Sequence, residues 1–220
     1  MESTLLVAEL QKCGIKNAKY LPNFKRLTKL KAEEFPSDYS EPYRLCSFSR
    51  IAEEKGIDDA ISTVQEINAD AGRQIVTLDV YGAVEPDYQT YFSQIQRTID
   101  WRYCGVVAAD QSVETLKDYF ALLFPTRCPT EGIPGTIIDA LSAGLPVIAR
   151  RWQYCDEMLE DGCTGLVYDF DHPEQLKSKI LYAIEHKDEM IAMKRNCLQR
   201  ATAYSEEVVI QQILKEMGVE

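Results

Sequence analysis

The sequence predicts an α/β fold built on an open, parallel sheet with helices on both faces. Three observations predict it. Short runs rich in Val, Ile, Leu, Tyr and Phe alternate with helix-period segments along most of the 220 residues. Several of these runs are apolar at every position, as strands covered on both sides must be. Repetition of strand, helix and strand favours parallel neighbours joined by right-handed crossovers.

The elements follow in order. MESTLLVAELQKCG reads as a helix; it lacks a basic leading region and Glu9 interrupts its apolar part, so it does not read as a signal peptide. Lys19–Leu21 is the first expected strand, and Leu30–Pro42, polar with two prolines, reads as a long loop. Arg44–Phe48 is the second strand. After Lys55-Gly56, the residues Ile57, Ala60, Ile61, Val64 and Ile67 form one apolar helical stripe. Ile75–Tyr81 is the third strand, and Tyr88, Tyr91, Phe92, Ile95 and Ile99 form a second stripe. Tyr103–Val107, Ala121–Phe124, Pro146–Ala149 and Gly165–Tyr168 complete seven expected strands. Pro134-Gly135 marks the entry to a helix that Gly144 ends, with Ile137, Ile138, Ala140 and Leu141 set to pack on the sheet. Leu176, Ile180, Ala183 and Ile184 give a third stripe, for which Asp171 is the expected cap and Pro173 a first-turn residue. Ser205–Met217 reads as a last helix, with Ser205, Glu206 and Glu207 at its start.

Composition narrows the partners. The net charge of −11 argues against binding a nucleic-acid backbone across a broad surface. It leaves room for one small basic pocket, because local field and net charge are separate matters. The seven cysteines form no C-x-x-C pair and the two histidines complete no common zinc spacing, so the thiols read as reduced and the location as cytoplasmic. No apolar run approaches the ~20 residues that cross a bilayer, which leaves only a peripheral place at the inner membrane face. No G-x-G-x-x-G follows a strand, which argues against a dinucleotide cofactor. Asp169-Phe170-Asp171 spells D-x-D, but its place before a helix reads as capping and not as metal binding. Trp101 and Trp152 read as packing residues.

Ligands of open α/β sheets bind beyond the carboxyl ends of the strands. That directs attention to Ser49–Gly56, Gly82–Pro86 and Thr126–Thr136. The third holds Glu131 in a Gly/Pro-punctuated loop, and Asp139 follows eight positions later, on the helix entered at Gly135. The amides of Gly135, Thr136 and Ile137 are expected to point outward at that helix N-terminus, a ready anion site. An exposed helix dipole contributes only about 0.3–1 kcal/mol, so a diphosphate needs cations as well. Arg50 and Lys55 supply them, at roughly 1.5–3 kcal/mol for each charge-assisted hydrogen bond. Glu131 and Asp139 would then accept hydrogen bonds from sugar hydroxyls.

These residues resemble the C-terminal, donor-binding half of retaining GT-B glycosyltransferases of family 4, a Rossmann-like domain. Leu21-Pro22-Asn23 resembles the family's Pro-Asn turn, and Phe48-Ser49-Arg50 with Lys55-Gly56-Ile57 its Gly-Arg…Lys-Gly motif. Val80-Tyr81-Gly82 resembles the strand ending in Gly. Phe124-Pro125-Thr126, Glu131-Gly132 and Asp139-Ala140-Leu141 resemble the E-x7-E element, with Asp in place of the second Glu. Gly144–Ile148 and Gly162–Leu166 complete the series. Ser49 stands where the family has Gly, and Arg151–Tyr154 is bulkier than its Gly-rich stretch.

The resemblance implies roles. Arg50, Lys55 and Glu131 would be catalytic, the two cations holding the diphosphate leaving group and Glu131 meeting the donor sugar. Gly82 would flank the base, with the Tyr103–Val107 region. The backbone of Ile133, Pro134, Gly135 and Thr136 would approach sugar and phosphate, and Asp139 would take the ribose hydroxyls. No metal and no cofactor would be needed. Residues 1–17 would be a remnant of an interdomain connection, 18–204 the nucleotide-sugar domain and 205–220 a crossover helix. The implied partners are a nucleotide sugar, a glycan or lipid-linked acceptor and a separate N-terminal acceptor-domain chain. The alternatives are a non-catalytic, degenerate domain with a regulatory or scaffolding role and a sugar-nucleotide epimerase, which shares the fold.

Overall fold

The computed structural model describes residues 1–27, 30, 34–95 and 98–217. Six parallel strands form one sheet: β1 (Tyr43–Phe48), β2 (Val76–Tyr81), β3 (Trp101–Gly105), β4 (Ala121–Phe124), β5 (Val147–Arg150) and β6 (Gly165–Tyr168). Their order is β3-β2-β1-β4-β5-β6. The chain works outward from β1 to one edge, returns, and works outward from β4 to the other. The eight helices of the described residues are α1 (Thr4–Lys12), α2 (Ile57–Ala71), α3 (Pro86–Gln94), α4 (Ser112–Leu116), α5 (Gly135–Ser142), α6 (Gln175–Glu185), α7 (Lys187–Ala201) and α8 (Glu206–Glu216).

Alternation along the strands builds two cores. Leu45, Val76, Leu78, Val80, Leu123 and Ile148 pack on one face with α2, α3 and α6. Cys46, Leu122, Phe124, Val147 and Ala149 pack on the other with α4 and α5. The runs ALLF and VIA are apolar throughout because β4 and β5 are inner strands that serve both cores. The fold is the expected Rossmann-like α/β sheet covered on both faces. All seven cysteines are free thiols. Among the described residues, no helix is long and apolar enough to cross a membrane.

The structure corrects several local expectations. Lys19–Leu21 is not a sheet strand; it finds its partners in Met1, whose ammonium meets Lys19 O at 2.9 Å and whose carbonyl accepts from Leu21 N at 2.8 Å. β3 lies two residues earlier than Tyr103–Val107, because Gly105 (φ 79°) ends it and Val106 turns out to solvent. The stripe from Tyr88 stops at Gln94; Ile99 is 84% exposed, and positions 96–97 lie outside the described residues. Residues 31–33 of the expected Leu30–Pro42 loop also lie outside them. Asp171 caps nothing: α6 starts at Gln175, without a side-chain cap, and Pro173 precedes it. Ser205 does cap α8, accepting from Val208 N at 3.2 Å.

Neither α4 nor α7 is expected from the sequence. For α7 the reason is Lys194, a charge in the middle of its apolar stripe of Met190, Met193, Cys197 and Ala201. Lys194 is 2% exposed. Its ammonium donates to Gly144 O at 3.2 Å and lies 5.2 Å from the Phe35 ring and 5.5 Å from the Tyr39 ring. Burial lowers its pKa to about 8.

Two outcomes follow from these contacts. The folded protein binds fewer protons at Lys194 than the unfolded chain between about pH 8 and 10.5, so this group's penalty disappears as pH rises through that window. In urea titrations, wild type should gain ~1–3 kcal/mol relative to Lys194→Met between pH 7.5 and 10; a constant difference contradicts the buried charge. Gly56 (φ 64°) has Pro125 O only 2.2 Å from where a Cβ would stand. Gly56→Ala should cost ~2–4 kcal/mol in the same assay, from left-handed strain and overpacking.

Candidate functional site

Strand order places the candidate site. β1 and β4 are neighbours, paired through Leu45–Ala121 and Cys46–Leu122, but their chains leave toward opposite edges. Where an order reverses in this way, the loops after the two strands part and leave a crevice. The loop after β1 carries Arg50 and Lys55; the loop after β4 carries Glu131 and leads to α5.

The two loops are bound to each other. Arg127 N donates to Glu54 O at 2.7 Å, and the Arg127 guanidinium pairs with Asp58 and Asp59 at 2.7 Å each. Thr136 Oγ1 in the first turn of α5 donates to Phe48 O, the last residue of β1, at 2.7 Å. Gly82 closes the third side. A Cβ there would stand 1.7 Å from Ser49 O, so only glycine allows β2 and the Ser49-Arg50 backbone to approach so closely.

Within this frame Lys55 Nζ lies 2.8 Å from both carboxylate oxygens of Glu131, and both side chains are largely buried. Thr126 Oγ1 donates to Glu131 Oε2 at 3.1 Å, which fixes the carboxylate from behind. Arg50 is more open, with 61% of its side chain exposed, and its guanidinium meets Glu85 and, at 3.8 Å, Glu54. The loop between Glu131 and α5 is held by Trp152 Nε1, which donates to Gly132 O at 3.2 Å, and by Asn23 Nδ2, which donates to Ile133 O at 3.2 Å. The Glu2 carboxylate accepts from Ile133 N at 3.3 Å. Pro134 is the N-cap of α5 and offers no side-chain cap; Gly135 and Thr136 form its first turn. Ile137 N, expected to be free, instead bonds Pro134 O at 3.0 Å.

Asp139 departs most from expectation. It is 5% exposed and its Oδ2 lies 2.5 Å from Lys25 Nζ. Burial pushes its carboxyl above the usual range, and Lys25 draws it only part of the way back. Lys25 was not expected at the site at all. It comes two residues after the Pro22-Asn23 turn but 114 positions before Asp139, and no spacing rule spans that distance. Thr126, Glu85 and Arg127 lie in the rim loops that the sequence points to, but their contacts with Glu131, Arg50, Asp58 and Asp59 leave no short-range pattern.

The four singled-out charges follow the carboxyl ends of β1 and β4, on one rim of the sheet. Only Lys55 and Glu131 touch each other. Arg50 and Asp139 are engaged by Glu85 and Lys25. Arg50, Lys55 and Lys25 are each engaged by one or two carboxylates, so an anion entering here would compete with internal partners.

Comparison with known proteins agrees with this fold. Residues 42–186, about two thirds of the chain, match the family described as Glycosyl transferases group 1. The chain is 26% identical over 133 residues to the amylovoran biosynthesis glycosyltransferase AmsK of Erwinia amylovora, covering 57% of this chain and 32% of that protein. It is 27% identical over 140 residues to the GtfA subunit of the UDP-N-acetylglucosamine–peptide N-acetylglucosaminyltransferase of Streptococcus gordonii, covering 60% and 25%. The chain thus spans a third or less of these curated relatives. The crystal structure of Anabaena Alr3699/HepE in complex with UDP and glucose has the same fold, with a TM-score of 0.77 at 17% identity over 99% of this chain and 61% of that one. With its six-stranded parallel sheet and this match, the chain belongs to the glycosyl transferases group 1 family and has the fold of a GT-B C-terminal domain.

Proposed function

We propose that the cleft binds the nucleotide-diphosphate sugar of a retaining glycosyltransferase, and that this chain is the donor half of such an enzyme. One observation carries the reading: the buried Lys55–Glu131 pair stands at the sheet's switch point, beside the N-terminus of α5. Arg50 and Lys55 hold the diphosphate, and with the first turn of α5 they stabilise the charge that grows on it as the sugar leaves. Glu131, set by Thr126, accepts hydrogen bonds from sugar hydroxyls. The backbone of Ile133 to Thr136 lines sugar and phosphate, Gly82 flanks the base and Asp139 lies on the ribose side. The cations and the helix end neutralise the diphosphate without an essential metal.

Transfer needs donor and acceptor held in line, so we further propose that an acceptor-binding domain faces this cleft, on this polypeptide or on a partner chain. Residues 1–17 and 205–220 suit a connection to it: both flank the cleft through Glu2 and through Lys25, which bridges to Ser205. The proposed acceptor is a glycan or lipid-linked saccharide, in the cytoplasm or at the inner membrane face. A second reading, a degenerate domain that regulates or scaffolds another transferase, is favoured by the burial of Asp139. Reconstitution with an acceptor domain separates the two: release of nucleoside diphosphate only when acceptor is present supports transfer.

Calorimetric titration of UDP, GDP and their sugar conjugates into the folded chain tests the donor site. At least one diphosphate should bind; no heat from any of them contradicts the site. Arg50→Ala should weaken that diphosphate by about tenfold or more and leave the nucleoside within twofold. Glu131→Gln releases Lys55 from its counterion. It should hold or tighten the bare diphosphate while lowering the preference for the sugar conjugate, and an unchanged preference would take the sugar contact away from Glu131.

A further inference from the structure

Lys25 is placed in an unusual way. Its backbone is clamped on both sides: Lys25 N donates to Tyr204 O at 3.0 Å and Lys25 O accepts from Glu206 N at 3.0 Å. Its side chain runs over the start of α5, so that a Cβ on Gly135 would stand 3.3 Å from Lys25 Cε and 3.5 Å from Nζ. An ammonium beside a helix N-terminus opposes the helix dipole. Asp139 offsets this from below, but Asp139 is buried while a third of the Lys25 side chain remains open. At this end of the site the lysine side chain, and not the carboxylate, is the more open to solvent.

We propose that Lys25 is a third cation for the donor diphosphate, and that Asp139 positions Lys25 and makes no contact with the ribose. The inference rests on the donor-site reading above. It also gives the shorter acidic side chain a reason: Asp139 ends one methylene lower than a glutamate would, and the lysine head fills the space above it. A diphosphate at the first turn of α5 then lies between Lys25 on one side and Lys55 with Arg50 on the other, and the opposition between ammonium and helix end becomes a shared attraction for the anion.

Calorimetry with UDP and uridine tests this on four chains: wild type, Lys25→Met, Asp139→Asn and the double variant. If GDP proves the tighter ligand of wild type, GDP and guanosine replace them. Lys25→Met should weaken the diphosphate about tenfold or more with the nucleoside within twofold. The double variant leaves no unpaired buried carboxylate and should show the same loss, which separates the effect from misfolding. Asp139→Asn alone loosens Lys25 and should shift the diphosphate affinity while uridine stays within twofold; an unshifted diphosphate takes the positioning role away from Asp139. A wild-type diphosphate affinity that survives Lys25→Met and the double variant overturns the inference while leaving the donor site intact. A loss of nucleoside affinity in Asp139→Asn overturns it too, because the carboxylate then touches the ribose. Absence of diphosphate binding to wild type brings down the donor site itself.

Discussion

The reversal of strand order between β1 and β4 is the constraint on which the site depends. A parallel strand delivers its chain to the same rim as its neighbours, so three loops end at one edge whatever their sequences. The crossovers then carry the chain from β1 toward β3 and from β4 toward β6, and the two central loops cannot fill the space between them. Charges that are 76 positions apart, as Lys55 and Glu131 are, meet there because the sheet brings them together. The contacts that lock the frame are two close backbone approaches, Gly56 against Pro125 and Gly82 against Ser49, and the Thr136 hydroxyl on Phe48 O. They fix the loops to within the tolerance that a charge-assisted hydrogen bond requires.

The second feature of the site is that its cations are already paired. A bare cluster of Arg50, Lys55 and Lys25 would repel itself, and the acidic chain around it supplies carboxylates to each. Removing one partner from a buried pair leaves a costly unpaired charge. The Lys55–Glu131 and Lys25–Asp139 pairs therefore help hold the site together. A monoanion gains too little to displace them, whereas a diphosphate can engage several cations at once. Glu131, once released from Lys55, is free to accept hydrogen bonds from neutral hydroxyls. On the proposed function, selectivity for a diphosphate joined to a polyol would follow from that exchange.

Much of this was legible in the sequence, because strong local patterns coincide with the fold. The doubly apolar runs became inner strands, the Ile57–Ile67 stripe became α2, and the Pro134-Gly135 and Gly144 signals bracketed α5. The rim loops were found by a rule about parallel sheets and not by their own composition. What escaped were features set by distant partners. Lys194 hid α7 because a lone charge in an apolar stripe reads as a break, and the rings that shelter it come from a separate loop. Lys25 hid for the same reason, since its partner Asp139 is contributed by another part of the chain. Asp139 itself was assigned from its spacing to Glu131, and spacing cannot show that a neighbour covers it.

A crystal structure of the chain with UDP bound tests the central claim most directly. The account predicts the diphosphate between the loops after β1 and β4, within hydrogen-bond distance of Lys55 Nζ and the first turn of α5, with the Lys55–Glu131 contact opened. Nucleotide bound at the opposite rim, where Arg44 near the start of β1 and Arg102 near the start of β3 pair with Asp79, with the Lys55–Glu131 contact intact, would contradict it.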